Sequence, residues 1–127
     1  MKLRIRGNSL RLRLTRGEVS AVLRGGAMRD AIDFGPARME YALVAGDGPA
    51  LVARYEHGAL TVEAPREALA KWAASDQVAL AAEQPLARGA LHILVEKDFA
   101  CLTARPHEDD SDAFENPQQH HGEHSHA

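Results

Sequence analysis

A chain of 127 residues with 45% hydrophobic side chains is long enough for one domain with a real core and too short for two ordinary ones. Its only cysteine, Cys101, excludes an intramolecular disulfide and a multi-thiol zinc site, and no run of about 18 apolar residues offers a membrane span. The net charge of -3 conceals a gradient, because residues 1–29 hold eight Lys/Arg against the single acid Glu18, residues 30–98 six against eleven acids, and residues 99–127 one against six.

The chain starts with "KLRIRGNSLRLRLTRGE", in which Lys2, Arg4, Arg6, Arg11 and Arg13 alternate with Leu3, Ile5, Leu10, Leu12 and Leu14. Period-two alternation on both sides of Gly7-Asn8 predicts a hairpin with one apolar and one basic face. The basic start is not followed by an apolar h-region, so a soluble, cytoplasmic protein is expected. Thr15 and Glu18 form a capping box that opens a helix, with Val19, Val22 and Leu23 as its apolar stripe and Gly25-Gly26 as its stop. Strands are predicted near 27–34 and 39–46, separated by Gly35-Pro36, and "GDGPA" at 46–50 reads as the turn that ends this half.

The same order then recurs. Alternation around His57-Gly58 predicts a second hairpin, Pro65 opens a second helix that ends near Ser75-Asp76, and strands follow near 78–84 and 90–96. With "NSLRLRLTRGEVSAVLRGG" set against "GALTVEAPREALAKWAASD", Leu10 meets Leu60, Leu12 meets Val62, and Val22 meets Trp72. One inserted residue later, Leu43-Val44 meets Leu94-Val95 and Asp47 meets Asp98. This reads as an internal duplication of a ββαββ unit, with half-repeats 1–47 and 51–98. The expected fold is α+β: a pseudo-twofold, mostly antiparallel eight-stranded barrel over residues 1–104 with two helices outside, because closure would remove exposed edges. Two four-stranded sheets packed as a sandwich are the rival.

With "KLRIRGNSLRLRL" at its start and "VEKDFACL" leading to "EDDSDAFENP", the chain resembles a bacterial family of short uncharacterised proteins, a domain of unknown function, over about residues 2–117. That resemblance implies a single domain and brings no activity with it. The architecture is more distantly similar to the triphosphate tunnel proteins, whose first strand carries alternating glutamates followed by a lysine. Here that place holds Lys2, Arg4 and Arg6, so the metal-binding half of their motif is missing.

Arg4, Arg6, Arg11 and Arg13 are the candidate anion-binding residues. No aromatic interrupts residues 1–33 to stack a base, so nucleic acid is not an expected partner whereas a small anionic ligand is. The plainer reading is a solvated strand face with cross-strand ion pairs to Glu40 or Glu56. His92 and Glu96, four apart, share one strand face and would meet Glu83 or an arginine of the first hairpin. Asp30 and Asp33 point to opposite faces and form no carboxylate pair, and Cys101 reads as a small packed residue.

The end of the chain is of another kind. Residues 105–117 read as an acidic strap in which Phe114 and Pro117 anchor the carboxylates to the body. Residues 118–127 read as a disordered tail whose His120, His121, His124 and His126 would accept Zn²⁺ or Ni²⁺, for which imidazole is a suitable ligand. With no phosphate loop, dinucleotide fingerprint or nucleophile elbow, the expectation is a small non-enzymatic binding or accessory module. The alternatives are an enzyme or sensor for a phosphorylated small molecule, using the arginine face, and metal handling by the tail. No catalytic residue is assigned.

Overall fold

The computed structural model describes residues 1–99 and Phe114. The described chain runs β1 (Lys2–Arg6), β2 (Ser9–Leu14), α1 (Arg16–Gly25), β3 (Ala27–Asp33), β4 (Arg38–Gly46), β5 (Val52–Glu56), β6 (Ala59–Pro65), α2 (Arg66–Ala73), β7 (Ala79–Pro85) and β8 (Ala90–Lys97).

Local chemistry accounts for most of these boundaries. The Thr15 hydroxyl accepts from the Glu18 N–H while the Glu18 carboxylate accepts from the Thr15 N–H, which closes the capping box and starts α1. Gly26 ends α1 in the left-handed region at φ 83, where a side chain would be strained. Val19 and Val22 of α1 and Leu69 and Trp72 of α2 turn into the core, while Leu23 is exposed because the stripe is narrower than its spacing suggested. Both first hairpins close over two residues. His57 and Gly58 both take positive φ, whereas in the other turn Gly7 alone does, as the primed turns require.

Ladder bonds join the strands into two four-stranded sheets, ordered β1-β2-β8-β7 and β3-β4-β6-β5. In each, the central pair is parallel, β2 beside β8 and β4 beside β6, and the outer pairs are antiparallel hairpins. Exchanging the β1–β4 half for the β5–β8 half turns one strand order into the other. The inner faces of both sheets, with both helices, fill one core that includes Leu12, Leu43, Val62, Trp72, Ile93 and Val95.

The described strands do not close into the single eight-stranded barrel expected from the sequence; the sheets face one another as in the rival arrangement. At one of the two seams, β5/β7, the reason is visible. There the Gln84 side chain donates to the Ala53 carbonyl at 3.0 Å and accepts from the Ala53 N–H at 2.7 Å, taking the groups that a ladder between the edges would use.

Pairing also corrects the alignment of the halves. Leu12 lies beside Val95 and Leu43 beside Val62. With Leu12 matched to Val62, the counterpart of Leu43 is therefore Val95, not Leu94. The slip arises because α2 is shorter than α1 but is followed by a longer connection to the next strand. A one-residue slip in a strand exchanges its faces. Leu43 and Val95 are both fully buried, whereas Leu94 sits on the outer face beside Arg11.

Candidate functional site

Because β1 pairs with β2, β2 with β8 and β8 with β7, the outer face of the first sheet is a grid of three rows. Lys2, Arg13, Glu96 and Ala79 make the first, Arg4, Arg11, Leu94 and Ala81 the second, and Arg6, Ser9, His92 and Glu83 the third. All five predicted basic residues of the hairpin and both predicted residues of β8 thus share one face. Small side chains at Ser9 and Ala81 leave a hollow of about 540 Å³ whose lining includes Arg11, Leu94, Glu83 and His92. That volume lies within the usual range for small-molecule sites, about 300–1,000 Å³.

Glu96 sets the electrostatics of the first two rows. Its carboxylate lies 2.9 Å from the Arg13 guanidinium and 3.4 Å from that of Arg11. Lys2 reaches Asp98 at 3.4 Å, and Nδ1 of His92 lies 3.6 Å from the Glu83 carboxylate. Glu96 thus meets hairpin arginines and His92 meets Glu83, as expected for these two residues, whereas the other expected partners of the arginines, Glu40 and Glu56, belong to the other sheet. Among the described residues, Arg4 and Arg6 have no carboxylate within ion-pair distance. Of the four predicted arginines, Arg11 lines the hollow and Arg13 stands one row above it, whereas Arg4 and Arg6 stand on the edge strand.

The corresponding face of the second sheet is mixed in sign. Arg54 pairs with Glu63 at 3.0 Å and Arg38 with Glu40 at 3.9 Å. Glu63 also crowds the end of β4, so that a Cβ at Gly46 would run into its side chain.

Sequence reasoning missed Lys97. It follows Ile93 and Val95 on the inward positions of β8 and is only 6% exposed, the buried charge of the described core. Its ammonium donates to the Ser75 carbonyl at 2.7 Å, just beyond α2, and lies 5.9 Å from the Trp72 ring and 5.3 Å from that of Phe114. Phe114 is held there by its N–H to the Asp98 carbonyl at 2.7 Å, by an edge-on contact with Phe99 and by the Arg16 guanidinium. Phe114, the expected anchor of residues 105–117, thus sits at the helix end of the first sheet. The other residues of the expected strap, Cys101, His120, His121, His124 and His126 lie outside the described residues. Among the described residues, no cluster of three or more His, Cys, Asp or Glu side chains is placed to hold a metal ion, and no helix is long and apolar enough to cross a membrane.

Burial lowers the Lys97 pKa from its ordinary 10.5, and Asp76 only partly opposes this. Above the folded value the unfolded chain binds more protons on this amine. The destabilising share is therefore full below the folded value and fades as pH rises from there toward 10.5. Measured by urea unfolding, the stability of the native chain relative to a Lys97→Met variant should rise with pH toward that value. Tyr41 works in the opposite sense, because burial, then Asp30 and Glu18, raise its pKa above 10.0, so its contribution is lost as pH climbs past that value. Referring the native chain to the Lys97→Met variant cancels the Tyr41 effect. A pH-independent difference would contradict the assignment.

Comparison with known proteins places the chain without giving it an activity. A family model described as a family of unknown function, DUF7009, matches residues 1–118. The chain belongs to that family. The match takes in both sheets, both helices and Phe114, leaving residues 119–127 with their four histidines outside. No curated protein and no solved structure matches the chain.

Proposed function

We propose that this member of the family is a small non-enzymatic binding module that takes a small organic anion, phosphorylated or carboxylated, on the outer face of its first sheet. The observation that carries the reading is the hollow beside Arg11. It combines an apolar floor of Leu94 and Ala81 with Ser9 and His92, and it adjoins Arg4 and Arg6, the edge-strand cations without a described carboxylate partner. An apolar surface with a few convergent polar groups is what such ligands require. Residues 1–104 form the binding domain in this reading, built from two duplicated halves, with Phe114 fastening the acidic stretch 105–117 to its end. The matching order of the two sheets supports the duplication. The lone cysteine fits a cytoplasmic protein.

Calorimetric titration with pyrophosphate at low salt tests the site. Charge-assisted bonds contribute about 1.5–3 kcal/mol each, so Arg11→Gln should weaken binding at least roughly tenfold while leaving the melting temperature nearly unchanged. Equal affinity of the two proteins would remove Arg11 from the site.

The pairing of His92 with Glu83 at the rim favours one second reading, an enzyme or sensor acting on a phosphorylated small molecule. Hydrolysis of p-nitrophenyl phosphate by the native chain, abolished in His92→Gln, would favour it. For the terminal histidines, removing residues 118–127 should abolish binding of Zn²⁺ or Ni²⁺. Equal binding by the shortened chain would move the ligands into the body.

A further inference from the structure

The two halves treat their exposed strand edges differently. The His92 N–H donates to the Asn8 carbonyl and the Asp98 N–H to that of Leu14, which turns the even-numbered residues of β2 toward β8. Leu10 and Leu12 therefore bond to β8, and their opposite numbers on β1, Ile5 and Leu3, direct their backbone N–H and C=O groups outward. The counterpart of Leu3 in the second half is Ala53, whose two outward groups are both taken by Gln84. By the corrected register the counterpart of Gln84 is Ile32, which has no such amide to offer. Among the described residues nothing bonds the outward groups of Leu3 and Ile5, so the edge of β1 is open there where that of β5 is stapled.

At the start of β1 the seam is charged, because the Met1 ammonium pairs with Asp30 of β3 at 3.5 Å, and farther along it exposes apolar side chains. Ile5 is 62% exposed, Ile32 47% and Phe34 64%. On β3, by contrast, the Ala31 N–H, which points outward, is already held by the Asp30 carboxylate at 3.0 Å. With one of its outward N–H groups taken, β3 is the less receptive edge of the seam and β1 the more receptive.

We infer that the β1 edge receives an extended segment of a partner chain in which acidic and apolar residues alternate. Main-chain bonds to Leu3 and Ile5 would give the strand its place. Its apolar side chains would cover Ile5, Ile32 and Phe34, and its carboxylates would stand beside Arg4 and Arg6 on the same strand, which no described carboxylate reaches. A second copy of β1 is excluded as the occupant, because antiparallel pairing would set Lys2, Arg4 and Arg6 against their own counterparts, and like charges opposite one another destabilise a sheet. The inference goes beyond the anion site, which lies in the hollow farther across the same sheet.

Amide hydrogen exchange on the full chain tests it, using as probe a short blocked peptide that alternates valine and glutamate. At a peptide concentration of ten times Kd, exchange at Leu3 and Ile5 should slow about tenfold, while Arg4, already bonded to β2, stays unchanged. Reversal of charge by Arg4→Glu with Arg6→Glu should abolish the effect and transfer it to a valine–lysine peptide. The inference is overturned if Leu3 and Ile5 are already protected in the free chain. It is equally overturned if the slowing falls on Tyr55 or Asp33, or if a peptide of equal composition with its glutamates in one block protects equally well. Pyrophosphate titration reads the hollow separately, so either proposal can fail alone.

Discussion

Replacement of Trp72 by alanine should lower the unfolding free energy by about 3–5 kcal/mol, the range for removing a large aromatic from a packed core. Trp72 is 1% exposed and sits where α2 meets the inner faces of both sheets. Three losses coincide there. The cavity cannot refill without moving α2, the Val78 carbonyl loses its 3.0 Å bond from Nε1, and Lys97 loses the ring beside its ammonium. Trp72→Phe retains most of the volume and should cost much less. Urea unfolding of the three proteins checks this, and a loss under about 1 kcal/mol for alanine would mean that the core closes around the gap.

Gln84→Ala should cost about 2–3 kcal/mol, because it removes two hydrogen bonds at once from backbone groups of a buried residue, each worth about 1–1.5 kcal/mol. Gln84→Glu keeps the acceptor for the Ala53 N–H but sets a carboxylate against the Ala53 carbonyl, so it should be no better than alanine. The reciprocal change, Ile32→Gln, carries the amide to the other seam. It should recover part of the loss in the Gln84→Ala background if it reaches Leu3. Thermal unfolding read beside hydrogen exchange at Ala53 and Leu3 separates the local effects from the global one.

The legible parts of this fold were those written in neighbouring residues. Thr15 with Glu18, the Gly7-Asn8 and His57-Gly58 turns and the alternation of the first hairpin each depend on a few adjacent positions, and each appears where the sequence put it. The pairing of β2 with β8 depends on contacts between distant segments, and nothing local marks it. In β8 the run Ile93-Leu94-Val95 is apolar on both faces because Leu94 floors the outer hollow, so the pattern alone could not choose a register and slipped by one residue. Lys97 carried a signal, its inward parity after Ile93 and Val95, but a lysine reads as solvated until Trp72 and the Ser75 carbonyl surround it. Gln84 had the same parity after Leu80 and Ala82, and its meaning emerges only when Ala53 arrives beside it. At the outer face, the sequence brought the basic residues, His92 and Glu96 together and offered both Glu96 and Glu40 or Glu56 as acids for the arginines; it could not choose between them, since that choice is a choice of sheet.

The interleaving of the two halves also constrains how the molecule can be assembled. Arg13 and Glu96 stand 83 residues apart in the chain and yet lie side by side in the central parallel pair of the first sheet. During synthesis β1 and β2 emerge with one side of β2 unmatched, β3 and β4 emerge with one side of β4 unmatched, and only β6 and then β8 complete them. Folding should therefore be slow for a domain of this size, limited by the search for non-local strand pairs rather than by the helices. Chains arrested before β8 would present an open strand edge and a bared apolar face, the form in which association with other chains competes with folding.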